Sequence, residues 1–305
     1  MNIKLPNFLV VGAAKAGTTS LYHYLKEHPE IFLPEIKEPK FITSQIVKYP
    51  FKGIGDELVE KGIIKKFAEY IDLFSDSNNA TAIGEFSADT LYYYDKSIGI
   101  IKRYLGEPKI LIILRNPIER AYSAYIHLLR DDRESFGFMA ALANEETRKN
   151  ANWEFIWFYK DVGLYYKQVK AYLENFDQVK IYLFDDLKKD TLGLVQDIYR
   201  FLGVEDSFVP TSISKKFNVS GVPKNRFLQR FLLHDNTFRK ILRSAVRVLV
   251  PNGEKRQKIV LKLRRGNLKK EPMPLEAREY LRDFFKEDIL MLQDLIRRDL
   301  SHWFD

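Results

Sequence analysis

The chain contains no cysteine in 305 residues, so disulfides and cysteine-ligated zinc are excluded and redox logic leaves its compartment undecided. It has only five histidines. His127, His234 and His302 show no metal-ligand spacing, while His23 and His28 fall on or at the end of the first helical pattern, where they pack or cap. No apolar run approaches the roughly 18–20 residues that a bilayer crossing needs. The start "MNIKLP" leads straight into a strand without a signal-peptide pattern, and a cytoplasmic protein is expected. Internal repeats and low-complexity tracts are absent too. What remains is an ordinary globular composition, 46% hydrophobic and 30% charged, in a chain long enough for one large α/β domain or two smaller ones.

Acidic residues are scarce in one stretch. From Ser214 to Lys270 there are 17 lysines and arginines against two acids, Asp235 and Glu254; this excess of 15, in a chain of net charge +8, leaves −7 for the rest. Such a stretch points to an anionic partner (phosphate groups, a sulfated or acidic glycan, or a lipid surface) or to a solvated helical face. Within it, Asn225–Val250 sets Phe227, Phe231, Phe238 and Leu242 among cations, an amphipathic basic helix broken near Asp235-Asn236. It can rest on an anionic membrane surface, close over a site as a lid, or face an acidic ligand. Aromatics and cations are not interleaved on a recognisable reading element, so nucleic acid is not expected as a partner.

Apolar β-type runs occur at Phe8–Val11, Ala82–Gly84, Lys109–Leu114 and Val179–Phe184. Helical patterns cover Thr19–His28, Leu58–Phe74, Pro117–Arg130, Phe136–Arg148, Gly163–Phe176, Thr191–Leu202 and Pro274–Leu300. Strands alternating with helices predict an α/β three-layer sandwich around a central, mostly parallel sheet of about five strands. "KILIIL" is apolar almost throughout, as a central strand buried on both faces requires. The chain is read as one domain, 1–305, with the basic segment at about 214–270 as a helical insertion or lid.

The stretch "NFLVVGAAKAGTTSLYHYL" (Asn7–Leu25) joins a strand to a helix through a turn bearing Gly12 and Gly17. This arrangement aims backbone N–H groups and the helix dipole at an anion, and the glycines let the backbone curl around it. A nucleotide triphosphatase reads G-x-x-x-x-G-K-[ST]. Here Thr18 stands where that lysine would, and Lys15 sits inside the loop. Lys15, Ala16, Gly17, Thr18, Thr19 and Ser20 are therefore candidates for holding a phosphate-like group without the usual lysine. The strand "KILIIL" ends in Arg115, not in the acid that would hold Mg²⁺ in a triphosphatase. "VKIYLF" does end in Asp185-Asp186, which leaves a metal site or a capped turn open there.

"LRNPIERAYSAYIHLLR" begins where the central strand ends. Asn116 is a good N-cap and Pro117 a good first helical residue. Arg115 just before the helix and Ser123 in its second turn can reach one anion, the arginine bidentately.

Together, "GAAKAGTTSL" and "RNPIERAYSAY" resemble the sulfotransferase family that uses 3′-phosphoadenosine 5′-phosphosulfate (PAPS), itself similar in fold to the P-loop triphosphatases. The resemblance extends to "KEPKFI" (Lys37–Ile42), the Gly-x-Tyr entry at Gly163–Tyr165 and the closing "RRDLSHW" (Arg297–Trp303). It looks closer to the bacterial and glycan-type branch than to the steroid and phenol branch. It implies that Lys15 and Gly17–Ser20 hold the 5′-phosphosulfate, that Arg115 and Ser123 hold the 3′-phosphate, and that Lys269 and Lys270 in a basic loop help to close over it. It also implies sulfuryl transfer to a hydroxyl or amine of a glycan, lipid or small natural product, with PAPS as co-substrate and no metal required.

Lys15 is then the catalytic cation at the leaving phosphate and the transferring sulfuryl group. The resemblance makes Glu38 the base that removes the acceptor's proton, and its neighbours Pro39 and Phe41 suggest a raised pKa. Glu85 and Asp89, at the carboxyl end of the second expected strand, are the reserve. Two departures bear on the acceptor: Phe86 stands where glycan enzymes carry a further lysine, and Lys40 where many relatives have a histidine. Tyr92–Tyr94 and Tyr165–Tyr166 either line an acceptor cleft or pack in the core. The rival readings are a Mg²⁺-dependent phosphotransferase and a non-catalytic anion- or lipid-binding protein on the same fold.

Overall fold

The computed structural model describes residues 5–77, 79–215, 221–225, 229 and 266–305. Five strands form one sheet: β1 (Phe8–Gly12), β2 (Ile31–Phe32), β3 (Ala82–Phe86), β4 (Lys109–Leu114) and β5 (Val179–Leu183). Their order is β2-β3-β1-β4-β5, and every pairing is parallel. The fold is the α/β architecture expected. β1 and β4 lie at the centre, and Phe8 through Val11 and Ile110 through Leu114 are all buried. Truncating one of these, such as Ile112→Ala, should cost about 2–5 kcal/mol, because helices on both sides leave no room for the site to collapse.

Helices α1 (Thr18–Lys26), α2 (Phe41–Ser44), α3 (Asp56–Glu60), α4 (Phe67–Asp72), α5 (Tyr94–Leu105) and α6 (Pro117–Arg130) come from the first half of the chain. They are followed by α7 (Phe138–Ala143), α8 (Glu145–Asn150), α9 (Tyr165–Asn175), α10 (Phe184–Lys189), α11 (Thr191–Leu202) and α12 (Leu275–Ile296). α1 packs on α11, while α5, α9, α12 and α6 form a chain of contacts of their own. None of the described helices is long and apolar enough to cross a membrane.

Two expected helices are interrupted. Leu58–Phe74 is divided into α3 and α4, because the Ile64 N–H leaves the helical ladder to bond the Pro39 carbonyl at 2.9 Å. Phe136–Arg148 is split into α7 and α8 at Asn144, whose side-chain amide bonds the Ala140 carbonyl at 2.9 Å and competes with the backbone. α5 lies outside the helices expected from sequence, since Gly99 and Ile100 blur its buried stripe of Ser97, Ile98 and Ile101.

Sheet order matters for the site. The chain leaves β1 toward β2 and β3 on one side, and leaves β4 toward β5 on the other. The crevice between the carboxyl ends of β1 and β4 is thus a topological switch point, where open parallel sheets bind ligands. The Gly12 loop and Arg115 stand at those ends. The chain terminus closes in beside them: Asn116 Nδ2 donates to the Trp303 carbonyl at 2.9 Å, and Trp303 Nε1 donates to Asp185 at 3.1 Å. Most of the basic segment, including nearly all of the expected helix at 225–250, lies outside the described residues. What is described there is a short antiparallel pair, β6 (Val222–Pro223) with β7 (Leu268–Lys269).

Candidate active site

The turn from β1 to α1 leaves no room for side chains at its glycines. A Cβ on Gly12 would sit 2.6 Å from Leu91 Cβ, and one on Gly17 would sit 2.9 Å from the Phe184 ring. Gly17 is also left-handed, φ 96°, as the N-cap of α1. It offers no side-chain cap, and the first turn of α1 holds no acid. The amides of Thr18, Thr19 and Ser20 therefore begin the helix without intrahelical acceptors, and the positive end of the dipole is uncompensated. That is an open anion cradle.

Lys15 belongs to the same loop, with φ 71°. Its ammonium makes no ion pair with a described residue. Burial lowers its pKa to about 8, helped by Arg130 and Arg115 and opposed by Asp131 and Glu38. An underpaired, partly desolvated lysine at a helix start is a strong partner for a dianion.

The other candidate residues lie at the carboxyl end of β4 and on α6. Arg115 is half-buried, donates to the Lys15 carbonyl at 3.2 Å and lies over the Phe184 ring at 5.1 Å. This links the carboxyl ends of β4 and β1. Its nearest carboxylate, Glu119, is 3.8 Å away and is more tightly held by Arg278. Ser123 is buried on α6, and its hydroxyl makes no hydrogen bond to a described residue. The chain at 271–272 lies against α6 beside it, where the Tyr122 hydroxyl donates to the Pro272 carbonyl at 3.0 Å. Lys269 and Lys270 just precede this contact; both are exposed, and Lys269 is 3.4 Å from Glu271.

Glu38 sits on the loop between β2 and α2, again in the left-handed region at φ 61°. Lys40 follows at φ 53°. Such backbones cost non-glycine residues roughly 1–2 kcal/mol each, so the surrounding contacts must hold them. The expectation of a raised pKa for Glu38 is overturned. Burial does push its carboxyl up, but Lys37, Lys40 and Lys15 together outweigh it and hold the group below the ordinary carboxylate range. Lys37 is bonded to it directly. Glu38 is thus ionised at neutral pH, ready to accept a proton.

Glu85 and Asp89 are both buried. Burial raises the Glu85 pKa to about 7, with the Ser87 and Tyr70 hydroxyls donating to it and opposing the shift. Asp89 is likewise raised by burial, and it accepts from Thr43 at 2.6 Å. These two carboxylates lie within the electrostatic reach of Glu38, but they are enclosed and bonded from within. Phe86 is core, edge-on to Tyr22 at 5.5 Å.

Sequence reasoning missed one group beside Lys15. His127 is held neutral, its pKa far below normal, by burial and by Lys15 and Arg130. Arg130 donates to its Nδ1 at 2.7 Å, which places the ring proton on Nε2. Arg130 also pairs with Asp131 at 2.9 Å. The signal was present: Ser123, His127 and Arg130 share one face of α6 at i, i+4 and i+7.

Asp186 caps α10, accepting from the Leu183 N–H at 3.3 Å, while Asp185 is held by side chains. Asp185 pairs with Lys188 at 2.7 Å and accepts from Trp303, and Asp186 pairs with Arg298 at 2.9 Å. Among the described residues no cluster of histidines and carboxylates could hold a metal ion. Of the two roles expected for His28 it packs, against the Tyr199 and Phe208 rings, and its Nδ1 accepts from the Glu30 N–H at 3.1 Å. A separate cleft of about 790 Å³ is lined by Tyr92, Tyr93 and Tyr94 with Trp153, Phe158 and Phe284. Tyr165 instead belongs to the core, and the N–H groups of Tyr165 and Tyr166 donate to Asp288.

Comparison with known proteins bears on this geometry directly. The model of the sulfotransferase family matches residues 6–208, which spans the sheet, the Gly12 loop, Glu38, Arg115 and Ser123. The chain belongs to the sulfotransferase family. A crystal structure of a sulfotransferase from Alicyclobacillus acidocaldarius is similar over 99% of both chains, with a TM-score of 0.78 and 34% identity. Carbohydrate sulfotransferase 15 of Rattus norvegicus is 28% identical over 165 residues, 44% of this chain. The bifunctional heparan sulfate N-deacetylase/N-sulfotransferase 4 of Mus musculus is 28% identical over 218 residues, 66% of this chain. The matched regions amount to only 29% and 22% of those two relatives.

Proposed function

We propose that this sulfotransferase takes the sulfuryl group from PAPS and passes it to a hydroxyl or amine of a glycan, lipid or small natural product. The observation that carries this reading is Lys15, which has no ion pair among the described residues, in the loop before the open start of α1; Arg115 bonds its carbonyl from the end of β4, and the buried Ser123 hydroxyl on α6 has no partner among the described residues. Two anion positions of this kind fit a ligand with phosphate at both ends. The amides of Thr18–Ser20 and Lys15 would hold its 5′ end, and Arg115 and Ser123 its 3′-phosphate, with Lys269 and Lys270 closing from the basic segment. The names of the carbohydrate and heparan sulfate relatives support a sugar acceptor.

The roles follow from charge. Glu38, ionised in the free protein, accepts the proton of the acceptor as its oxygen or nitrogen bonds to sulfur. The sulfur–oxygen bond to the 5′-phosphate breaks, and negative charge grows on the departing phosphate oxygen. Lys15 and the helix amides are fixed in advance where that charge appears, which is the largest catalytic term available here. Neutral His127, with its proton on Nε2, adds a donor beside Lys15. The phosphotransferase reading is disfavoured because Arg115 ends β4 and both Asp185 and Asp186 are already engaged by cations.

Incubation with ³⁵S-labelled PAPS and a panel of sugar, lipid and phenolic acceptors in a metal chelator tests the reading. Label transferred to an acceptor, and lost in Lys15→Ala, is the expected result. Phosphate transfer from ATP that needs Mg²⁺, with no transfer from PAPS, would overturn it.

A further inference from the structure

The Glu38 loop is anchored at Pro39, whose carbonyl accepts from the Ile64 N–H at 2.9 Å, and by several bonds from Lys40. The Lys40 N–H donates to Ser87 Oγ at 3.1 Å, and its carbonyl accepts from Thr43 Oγ1 at 3.2 Å. Its ammonium donates to Glu154 Oε1 at 2.9 Å and lies 5.2 Å from the centre of the Phe155 ring. Both partners of this ion pair are buried, with side-chain exposures of 9% and 4%. Glu154 is fixed in turn: its Oε2 accepts from the Ile156 N–H at 3.1 Å, and its own N–H donates to Asp56 at 2.9 Å. Glu38, by contrast, has among the described residues only the adjacent Lys37 as a bonded partner. Two left-handed residues so close together need an external brace, and the side chain of Lys40 supplies a buried one beside the Ile64–Pro39 bond.

We propose that Lys40 is a positioning residue for Glu38: its buried bond to Glu154 fixes the strained loop so that the Glu38 carboxylate faces the Lys15 end of the crevice. This rests on the reading of Glu38 as the base. Lys40 does not reach the reacting atoms; it points away from them, into the wall formed by Glu154, Asp89 and Tyr49. That wall holds a cavity of about 10 Å³, and two buried atoms beside it, Asp89 Oδ1 and Tyr49 Oη, have no partner. A wall with unsatisfied polar atoms and a strained loop is what a structure keeps when placement matters more than stability.

Lys40 also contributes charge. The groups that face Glu38 are Lys37, Lys40 and Lys15 as cations, with Glu85 and Asp89 as the carboxylates nearby. Removing the Lys40 ammonium takes away one of the three charges that hold Glu38 ionised.

The test compares Lys40→Met, the pair Lys40→Met with Glu154→Gln, and Glu38→Gln. Each is measured for kcat with a working acceptor, for affinity toward 3′-phosphoadenosine 5′-phosphate (PAP), and for kcat/KM against pH. The double variant guards against unfolding, because it removes the carboxylate that Lys40→Met would leave buried and unpaired. The expected result in both Lys40 variants is a kcat lower by about 100-fold, as a misplaced catalytic group gives. PAP affinity should be unchanged, and the acid limb of the pH profile should move upward. Lys40 variants with wild-type kcat and an unmoved acid limb, beside an inactive Glu38→Gln, would overturn the proposal alone. PAP affinity falling in step with kcat would also overturn it, because Lys40 would then serve the fold as a whole. An active Glu38→Gln would remove the reading beneath it.

Discussion

The Gly12 loop and the Glu38 loop each carry a lysine in the left-handed region, Lys15 at φ 71° and Lys40 at φ 53°, and the two lysines are electrostatic opposites. Lys15 makes no ion pair with a described residue, and its pKa is lowered to about 8 by burial and by neighbouring arginines. Burial acts on Lys40 in the same direction, but Glu154, Asp89 and Glu38 overcome it and raise its pKa well above normal. One loop leaves its charge open for a ligand, and the other spends its charge on structure. Burial and backbone strain alone therefore do not separate the two lysines; the presence or absence of a partner among the described residues does.

The sharpest way to break this comparison is to neutralise each loop at its active group. Glu38→Gln should lower kcat by about 10²–10⁴-fold, the range for a lost general base, with PAP affinity little changed. Lys15→Ala should lower kcat by about 10²–10³-fold, as expected for one lost preorganised donor. Equal loss of kcat and PAP affinity in both would erase the distinction drawn between the loops.

The pH profile sharpens it further. Lys15 must be protonated to meet the growing phosphate charge, and its pKa in the free protein is about 8. The kcat/KM of the wild type should therefore fall as pH rises through about 8. Lys15→Arg, whose guanidinium stays charged, should lose that alkaline limb. On the acid side Glu38 must be ionised; because its pKa is lowered, activity should persist below the ordinary carboxylate value of about 4.3. The smallest effect expected is that of Ser123→Ala. Losing one hydrogen bond to a charged group, about 1.5–3 kcal/mol, should weaken PAP binding by roughly 10–150-fold, with kcat at saturating PAPS preserved.

How much of this was legible in the sequence depends on how local each feature is. The Gly12 loop and the Arg115–Ser123 turn are consecutive residues at the end of a strand and the start of a helix, so spacing and residue type were enough to place them. β4 and α6 keep the bounds read from their periodicity. Glu38 was singled out by family resemblance, and the direction of its pKa was misjudged. Pro39 and Phe41 were visible beside it, but Lys15 and Lys40 act through space and outweigh them. Lys40 and Glu154 are 114 positions apart, and no local pattern connects them. His127 was judged only as a metal ligand, although its helical spacing from Ser123 pointed to the same crevice.

The central claim is that the β1–β4 crevice binds a doubly phosphorylated nucleotide without metal, and calorimetric titration with PAP in a chelator tests it most directly. The account predicts binding by the wild type that Arg115→Ala weakens by at least about 100-fold, the cost of a lost bidentate, charge-assisted grip. Failure of the wild type to bind PAP, with ATP bound only when Mg²⁺ is added, would contradict it.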